Sequence, residues 1–189
     1  MFRVIGLSGQ AGVGKDFVAR WMQQKLPNAM IVGFADQLKL NTMMSHSLSF
    51  DSVFGNKTRE IRQLLQQTGT EQGRDVHGKD IWIRYLRGWM QLHHTRSGIE
   101  NFIVTDCRFP NEVEFIKSYP NHLVIRIIAP IRNIERLEQE GSAGTTNILH
   151  SSEAELSYTL FDHCIYNDPQ DDLYLQLHKL MVDIPLKME

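Results

Sequence analysis

Residues 4–7 form a short apolar run, residues 9–16 read Gly-Gln-Ala-Gly-Val-Gly-Lys-Asp, and residues 17–26 repeat apolar side chains at helical spacing. A strand, a glycine loop and a helix in that order leave few folds open. Gly9, Gly12 and Gly14 permit positive φ and close approach, so consecutive N–H groups can point at one anion at the positive end of a helix dipole. Lys15 adds a mobile positive charge that can follow the β- and γ-phosphates of a nucleotide. The spacing fits G-x-x-x-x-G-K-[ST] except at the last position, where Asp16 stands in place of the hydroxyl that ligates magnesium. A carboxylate beside phosphates repels them unless a metal ion or its water lies between, so Asp16 is expected to hold magnesium through water. Gly9, Ala11, Gly12, Val13, Gly14, Lys15, Asp16 and Phe17 are the residues expected to bind the nucleotide phosphates. A turn that merely joins strand to helix has no need of three glycines and a lysine.

The rest of the chain is built to bury such a loop in an α/β sheet. Apolar runs at 29–34, 101–105, 123–128 and 163–166 read as four further strands, and their near-continuous apolar character suits parallel strands covered on both faces. Helical spacing recurs at 37–44, 58–67, 79–94, 131–140 and 171–182, with another helix starting at Glu112. The expectation is a three-layer α/β domain with a parallel sheet, whose strand order the sequence does not give. At 189 residues one domain is expected, with a core of 1–35, 100–130 and 155–189, a substrate-binding insertion of 36–95 and a lid of 131–154. Residues 45–56 read as a connecting loop anchored by Phe50, Val53 and Phe54, and residues 68–74, with Gly69 and Gly73, as a shaped loop.

Ligands of open α/β sheets bind at the carboxyl ends of strands. Asp36 and Lys39 therefore fall on the loop's rim, as substrate contacts or as an N-cap and a solvated lysine. Residues 36–94 are too long for an ordinary crossover, and helical insertions of this kind commonly carry a binding site, the alternative being a purely structural helical pair. Asp106 ends the third strand and can order magnesium and its waters, while Arg108 offers a guanidinium fork for phosphate, or the two form a structural ion pair. Arg132 and Arg136 share one helical face and can be delivered by a closing lid, or pair with Glu135, Glu138 and Glu140 on solvent.

A net charge of -2 argues against a general binder of nucleic acid or anionic membrane. Cys107 and Cys164 are too few for a disulfide framework or a zinc site and fit a reducing, cytoplasmic compartment. No basic, apolar leader opens the sequence and no run of about 18 apolar residues follows, so neither export nor membrane insertion is expected.

Taken together, Ser8 to Asp16, Phe34-Ala35-Asp36 with Leu38-Lys39, Arg62 to Gln66 leading into Gly69-Thr70-Glu71 and Arg74, Trp82, Asp106-Cys107-Arg108-Phe109-Pro110-Asn111-Glu112, and His150 with Glu153 resemble the phage-type deoxynucleoside monophosphate kinases. The resemblance spans about residues 4–167 and rests on the set, above all Gly-Lys-Asp with Asp-x-Arg-Phe-Pro-Asn-Glu. It implies a P-loop NTPase fold of sheet order 2-3-1-4-5, ATP as co-substrate, Mg2+ as cofactor, and γ-phosphoryl transfer to a deoxynucleoside 5′-monophosphate. Carried onto this chain, it makes Lys15, Arg108, Arg132 and Arg136 catalytic. Asp36, Lys39, Arg62, Gln66, Thr70, Glu71, Arg74, Trp82, Arg108, Asn111 and Glu112 become substrate-binding, and Asp16 and Asp106 metal-binding. A source in a phage, a prophage or a bacterium is implied, and dimerisation is left open. Excluding water from the transfer predicts that lid and insertion close over both substrates.

Animal-type phosphomevalonate kinases share the Gly-Lys-Asp loop and the Asp-x-Arg; an acidic, non-aromatic acceptor would then fill the pocket around Trp82. A nucleotide-binding switch would need a mobile loop tying γ-phosphate to a partner surface, for which no motif is present. An inactive scaffold is opposed by the intact Lys15 and Arg108.

Overall fold

The computed structural model describes residues 2–141, 156 and 160–184. In chain order its elements are β1 (Arg3–Ser8), α1 (Lys15–Lys25), β2 (Ala29–Val32), α2 (Asp36–Ser45), α3 (Phe50–Phe54), α4 (Arg59–Gln67), a π-helix (Thr68–Arg74), α5 (Asp75–His77), α6 (Ile81–Ser97), β3 (Asn101–Val104), α7 (Pro110–Lys117), β4 (His122–Ile128), α8 (Pro130–Gly141), β5 (His163–Tyr166) and α9 (Leu173–Asp183). Two compact units emerge, Met1–Ile31 with Gly98–Glu189, and Val32–Ser97.

The five strands form one parallel sheet in the order β2-β3-β1-β4-β5, the order implied by the resemblance. In register, Val4 lies opposite Phe102 on one side and His122 on the other, and Ile127 of β4 lies opposite Ile165 of β5. Successive side chains alternate between the faces. Ile5, Leu7, Ile103, Ile125, Ile127 and Ile165 join Val18, Ala19, Trp21 and Met22 of α1 and Leu177 and Leu180 of α9 in one buried cluster. On the opposite face the Phe2 and Phe102 rings meet edge to face at 5.1 Å, and Phe115 of α7 meets Tyr119 at 5.4 Å. Gly6 sits where α7 presses closest, since a Cβ there would collide with Ile116. Fully burying one such aliphatic or aromatic side chain contributes about 1.5–3 kcal/mol, so both faces hold the sheet.

In the second unit, Leu38 of α2, Val53 of α3 and Trp82, Ile83, Leu86 and Met90 of α6 are buried. Two expectations of loop give way to helix here. Residues 50–54 form α3, because Phe50 and Phe54 stack one turn apart at 4.4 Å and Ser49 Oγ caps the start by accepting from Ser52 N at 3.2 Å. Residues 68–74 form the π-helix, with Gly69 and Gly73 both buried. The second strand stops at Val32, not at residue 34, because the Gly33 N–H is taken by Asp36 Oδ2 at 2.7 Å. Among the described residues no helix is long and apolar enough to cross a membrane.

Candidate functional site

The loop between β1 and α1 is shaped by its three glycines, with φ of 149° at Gly9, 83° at Gly12 and 95° at Gly14. Two of them also lack room for a side chain. A Cβ on Gly9 would stand 2.5 Å from the Ile127 carbonyl oxygen, and one on Gly14 would collide with the Asn167 amide. Gly14 is the N-cap of α1 and offers no side chain to its first turn, so the N–H groups there face the loop. Lys15 Nζ donates to the Gly9 and Gln10 carbonyls at 2.7 Å each, which folds the ammonium over the loop it belongs to. Val13 is buried, Ala11 half-buried, and Asp16 and Phe17 exposed in the first turn of α1.

Beside the loop, β3 is followed after Thr105 by Asp106-Cys107-Arg108. The Cys107 N–H donates to Leu7 O at 3.2 Å, extending the β1–β3 pairing up to the start of the glycine loop. Glu112 is buried, and its Oε2 accepts from the N–H groups of Arg108 at 2.7 Å and Phe109 at 3.0 Å. Those charge-assisted bonds contribute about 1.5–3 kcal/mol each and fix the turn that leaves Arg108 exposed, with Asn111 half-buried behind it. Burial pushes the Cys107 thiol well above its usual pKa, with Glu112 and Asp106 adding to the shift and Arg126 opposing it. Cys107 is thus a packed thiol among those three charges, not a nucleophile.

Three residues to which the sequence assigned no role hold the first unit's rim together. Asn167, just past β5, is buried and donates from Nδ2 to Val13 O at 2.8 Å. Asp168 accepts at Oδ2 from Ile131 N and at Oδ1 from Arg132 N, 3.1 Å each, capping α8. Arg126 of β4 donates to Ser8 Oγ at 3.0 Å and lies over the Phe161 ring at 5.4 Å. A charge inside the apolar run 123–128 was the available signal for Arg126; Asn167-Asp168-Pro169 at a strand's end was the signal for the other two. A cavity of about 290 Å³ opens between Gln10, Arg126, Pro130 and Asn133, whose Oδ1 is buried without a partner. A second, of about 580 Å³, is lined by Gly14, Phe17, Arg132, Asn167, Asp171 and Tyr174. Phe17 and Tyr174 meet edge to face at 5.9 Å. Arg132 is exposed on α8; Arg136 lies on the same helix, and its side chain is outside the described residues, as are His150, Glu153 and most of the expected lid.

The second unit carries the remaining expected contacts. Lys39 Nζ pairs with Asp36 Oδ1 at 3.0 Å and lies over the Phe54 ring at 5.1 Å. Arg62 Nε donates to Lys57 O at 3.4 Å, and Gln67 Nε2 donates to Glu71 Oε2 at 3.1 Å. Gln66 and Thr70 are exposed and Arg74 is half-buried. Trp82 is placed differently from all of these. Only 7% of it is exposed, and its indole N–H donates to Gly69 O at 3.1 Å.

Magnesium keeps several waters and takes one or two carboxylates alongside substrate phosphates, so carboxylates such as Asp16 and Asp106 would be enough to order it beside a bound nucleotide without a protein cage. Among the described residues no group of three or more His, Cys, Asp or Glu side chains gathers to hold a metal by itself.

The fold has solved counterparts. Shikimate kinase from Aquifex aeolicus superposes with a TM-score of 0.50 at 14% identity, covering 95% of this chain and 94% of that one. This chain has the P-loop kinase fold. A Thermus thermophilus structure, TT1252, shares it with a TM-score of 0.55 at 14% identity, over 97% of this chain and 98% of that one. No protein-family model matches the sequence. A curated protein of Acanthamoeba polyphaga mimivirus, described as "Putative deoxynucleotide monophosphate kinase", is 26% identical over 195 aligned positions, 92% of this chain and 93% of its own length. Kinship along nearly the whole length thus joins this P-loop kinase fold to a protein described in the terms of the resemblance.

Proposed function

We propose that the protein is an ATP-dependent kinase that transfers the γ-phosphoryl group to a deoxynucleoside 5′-monophosphate, giving a deoxynucleoside diphosphate and ADP. The observation that carries this is the glycine loop with Lys15 and Asp16 at the α1 N-terminus, with Asp106 and Arg108 emerging from the neighbouring strand. The mimivirus relative's description supports the acceptor class.

The acceptor phosphate is already a nucleophile, so no strong general base is required. Two anionic groups have to approach in line, and the work is alignment and neutralisation. The loop N–H groups would hold the β-phosphate, and Lys15 would leave its two carbonyls to follow the γ-phosphate. Arg108, fixed by Glu112, would clamp the acceptor phosphate, and Arg132 would approach the transferring group from α8, joined by Arg136. Magnesium, held through water by Asp16 and Asp106, would supply positive charge to the ATP phosphates. The cavity beside Gly14 would take the ATP base, with Phe17 and Tyr174 as aromatic walls. Asp36, Lys39, Arg62, Gln66, Thr70, Glu71 and Arg74 of the second unit, with Asn111, would meet the acceptor nucleotide.

The test is a coupled ADP-release assay with ATP and Mg2+ against dGMP, dTMP, dCMP, dAMP, their ribo counterparts and phosphomevalonate. Deoxynucleotide-dependent turnover that disappears in Lys15→Ala and Arg108→Ala is the expected result. Turnover with phosphomevalonate alone, or ATP binding with no acceptor-dependent turnover, would overturn the reading.

A further inference from the structure

On the reading that residues 32–97 hold the acceptor nucleotide, we propose that Trp82 is a positioning residue: its indole latches the π-helix Thr68–Arg74 and so sets the polar stripe Arg62, Gln66, Thr70 that meets the acceptor.

The stripe owes its alignment to the π-helix. Ile61 and Leu65 of α4 are half-buried and Gly69 and Gly73 buried, a face spaced every fourth residue. Arg62, Gln66 and Thr70 repeat at the same spacing and are all exposed. At 3.6 residues per turn each step of four drifts by about 40° around an α-helix, so the two steps from Arg62 to Thr70 would turn the polar stripe by about 80° and the three from Ile61 to Gly73 the buried face by about 120°. The wider i→i+5 turn from Thr68 onward opposes that drift, so buried and polar faces both continue across the junction.

A π-helix is rare and has to be held by its surroundings, and here the holding groups are identifiable. The Trp82 indole N–H donates to Gly69 O at 3.1 Å. Its ring covers Gly73 so closely that a Cβ there would collide with it, and a Cβ on Gly69 would stand 2.8 Å from Leu38 Cδ2. Thr68 Oγ1, at the first residue of the segment, is buried with no partner, a local cost that the rest of the arrangement overcomes. With its ring packed on Gly73 and its N–H engaged, Trp82 is poorly placed to stack on a base. It acts through the backbone of Gly69 and Gly73.

The test uses the full chain, the ADP-release assay and three variants, Gly73→Ala, Trp82→Phe and the double substitution, with folding checked by circular dichroism. Gly73→Ala is expected to raise the acceptor KM roughly tenfold while leaving the ATP KM within about twofold. Trp82→Phe makes room for the added methyl, so the acceptor KM of the double variant should fall below the product of the two single effects. An unchanged acceptor KM in folded Gly73→Ala, or an equal rise in both KM values, would overturn the latch. If Gly73→Ala does not fold, Trp82→Phe decides, since an unchanged acceptor KM after loss of the indole N–H contradicts the proposal. If the wild type turns over no nucleotide, the acceptor reading itself fails. Amide exchange then tests the latch alone, which requires faster exchange over residues 68–74 in Trp82→Phe and is overturned by equal rates.

Discussion

On the proposed reading the two units face different recognition problems and would meet them with different parts of the chain. In Met1–Ile31 with Gly98–Glu189, the candidate phosphate site is made mostly of backbone: three glycines at positive φ, the start of α1 and the turn after β3, all resting on strands buried on both faces. In Val32–Ser97, the candidate contacts are side chains on helices, and most are exposed. Phosphate is the same in every nucleotide, so a rigid main-chain cradle serves. A nucleotide acceptor differs in its base, and selecting among bases takes side chains that can vary without disturbing the sheet. Rigidity and selectivity would thereby be separated along the sequence.

The sharpest way to break this comparison is at Lys15. Lys15→Ala should lower kcat/KM by about 10²–10³ with the fold retained, measured by ADP release and far-ultraviolet circular dichroism; a loss of a few fold would mean that the loop does not carry the charge stabilisation. Next in size is Asn167→Ala, which removes the buried bond to Val13 O. Urea unfolding should show a loss of about 1–3 kcal/mol, accompanied by a higher ATP KM. Stability lost with the ATP KM unchanged would make Asn167 a core residue alone. Asp168→Ala removes both acceptors at the start of α8 and should cost about 1 kcal/mol, seen as a lower melting temperature, with Asp168→Asn retaining part of it. In the second unit, Lys39→Ala breaks an ion pair at the surface and should change stability by no more than about 1 kcal/mol. A larger loss there would erase the contrast between the units. Least dramatic is alkylation at neutral pH: exposed Cys164 should react with iodoacetamide and buried Cys107, its thiol pKa raised, should not.

What the sequence made legible follows the same division. β1, the glycine loop and α1 could be read directly because their signals are local: an apolar run, three glycines and a helical repeat within 26 residues. Asp106 and Arg108 were visible as charges at the end of an apolar strand. Asn167 and Asp168 were not assigned because their partners lie 154 and 36 positions away, at Val13 and Arg132, and no local pattern marks such pairs. The π-helix was hidden for the opposite reason. Two glycines among Thr, Glu and Gln carry the local signature of a loop, and what turns the segment into a helix is Trp82, on a different element. Likewise α3 depends on the stacking of Phe50 on Phe54, a contact that exists only once the turn has formed. Glu112 was assigned to substrate, and the structure ties its carboxylate to the Arg108 and Phe109 N–H groups.

The central claim is that the backbone cradle takes ATP and the helical unit takes the acceptor. Calorimetric titration of ATP with Mg2+, and separately of the best deoxynucleoside monophosphate, into the wild type, Lys15→Ala and Gly73→Ala tests it most directly. The account predicts that Lys15→Ala weakens ATP and spares the acceptor, while Gly73→Ala weakens the acceptor and spares ATP. Both substitutions weakening the same ligand, or Gly73→Ala weakening ATP alone, would contradict it.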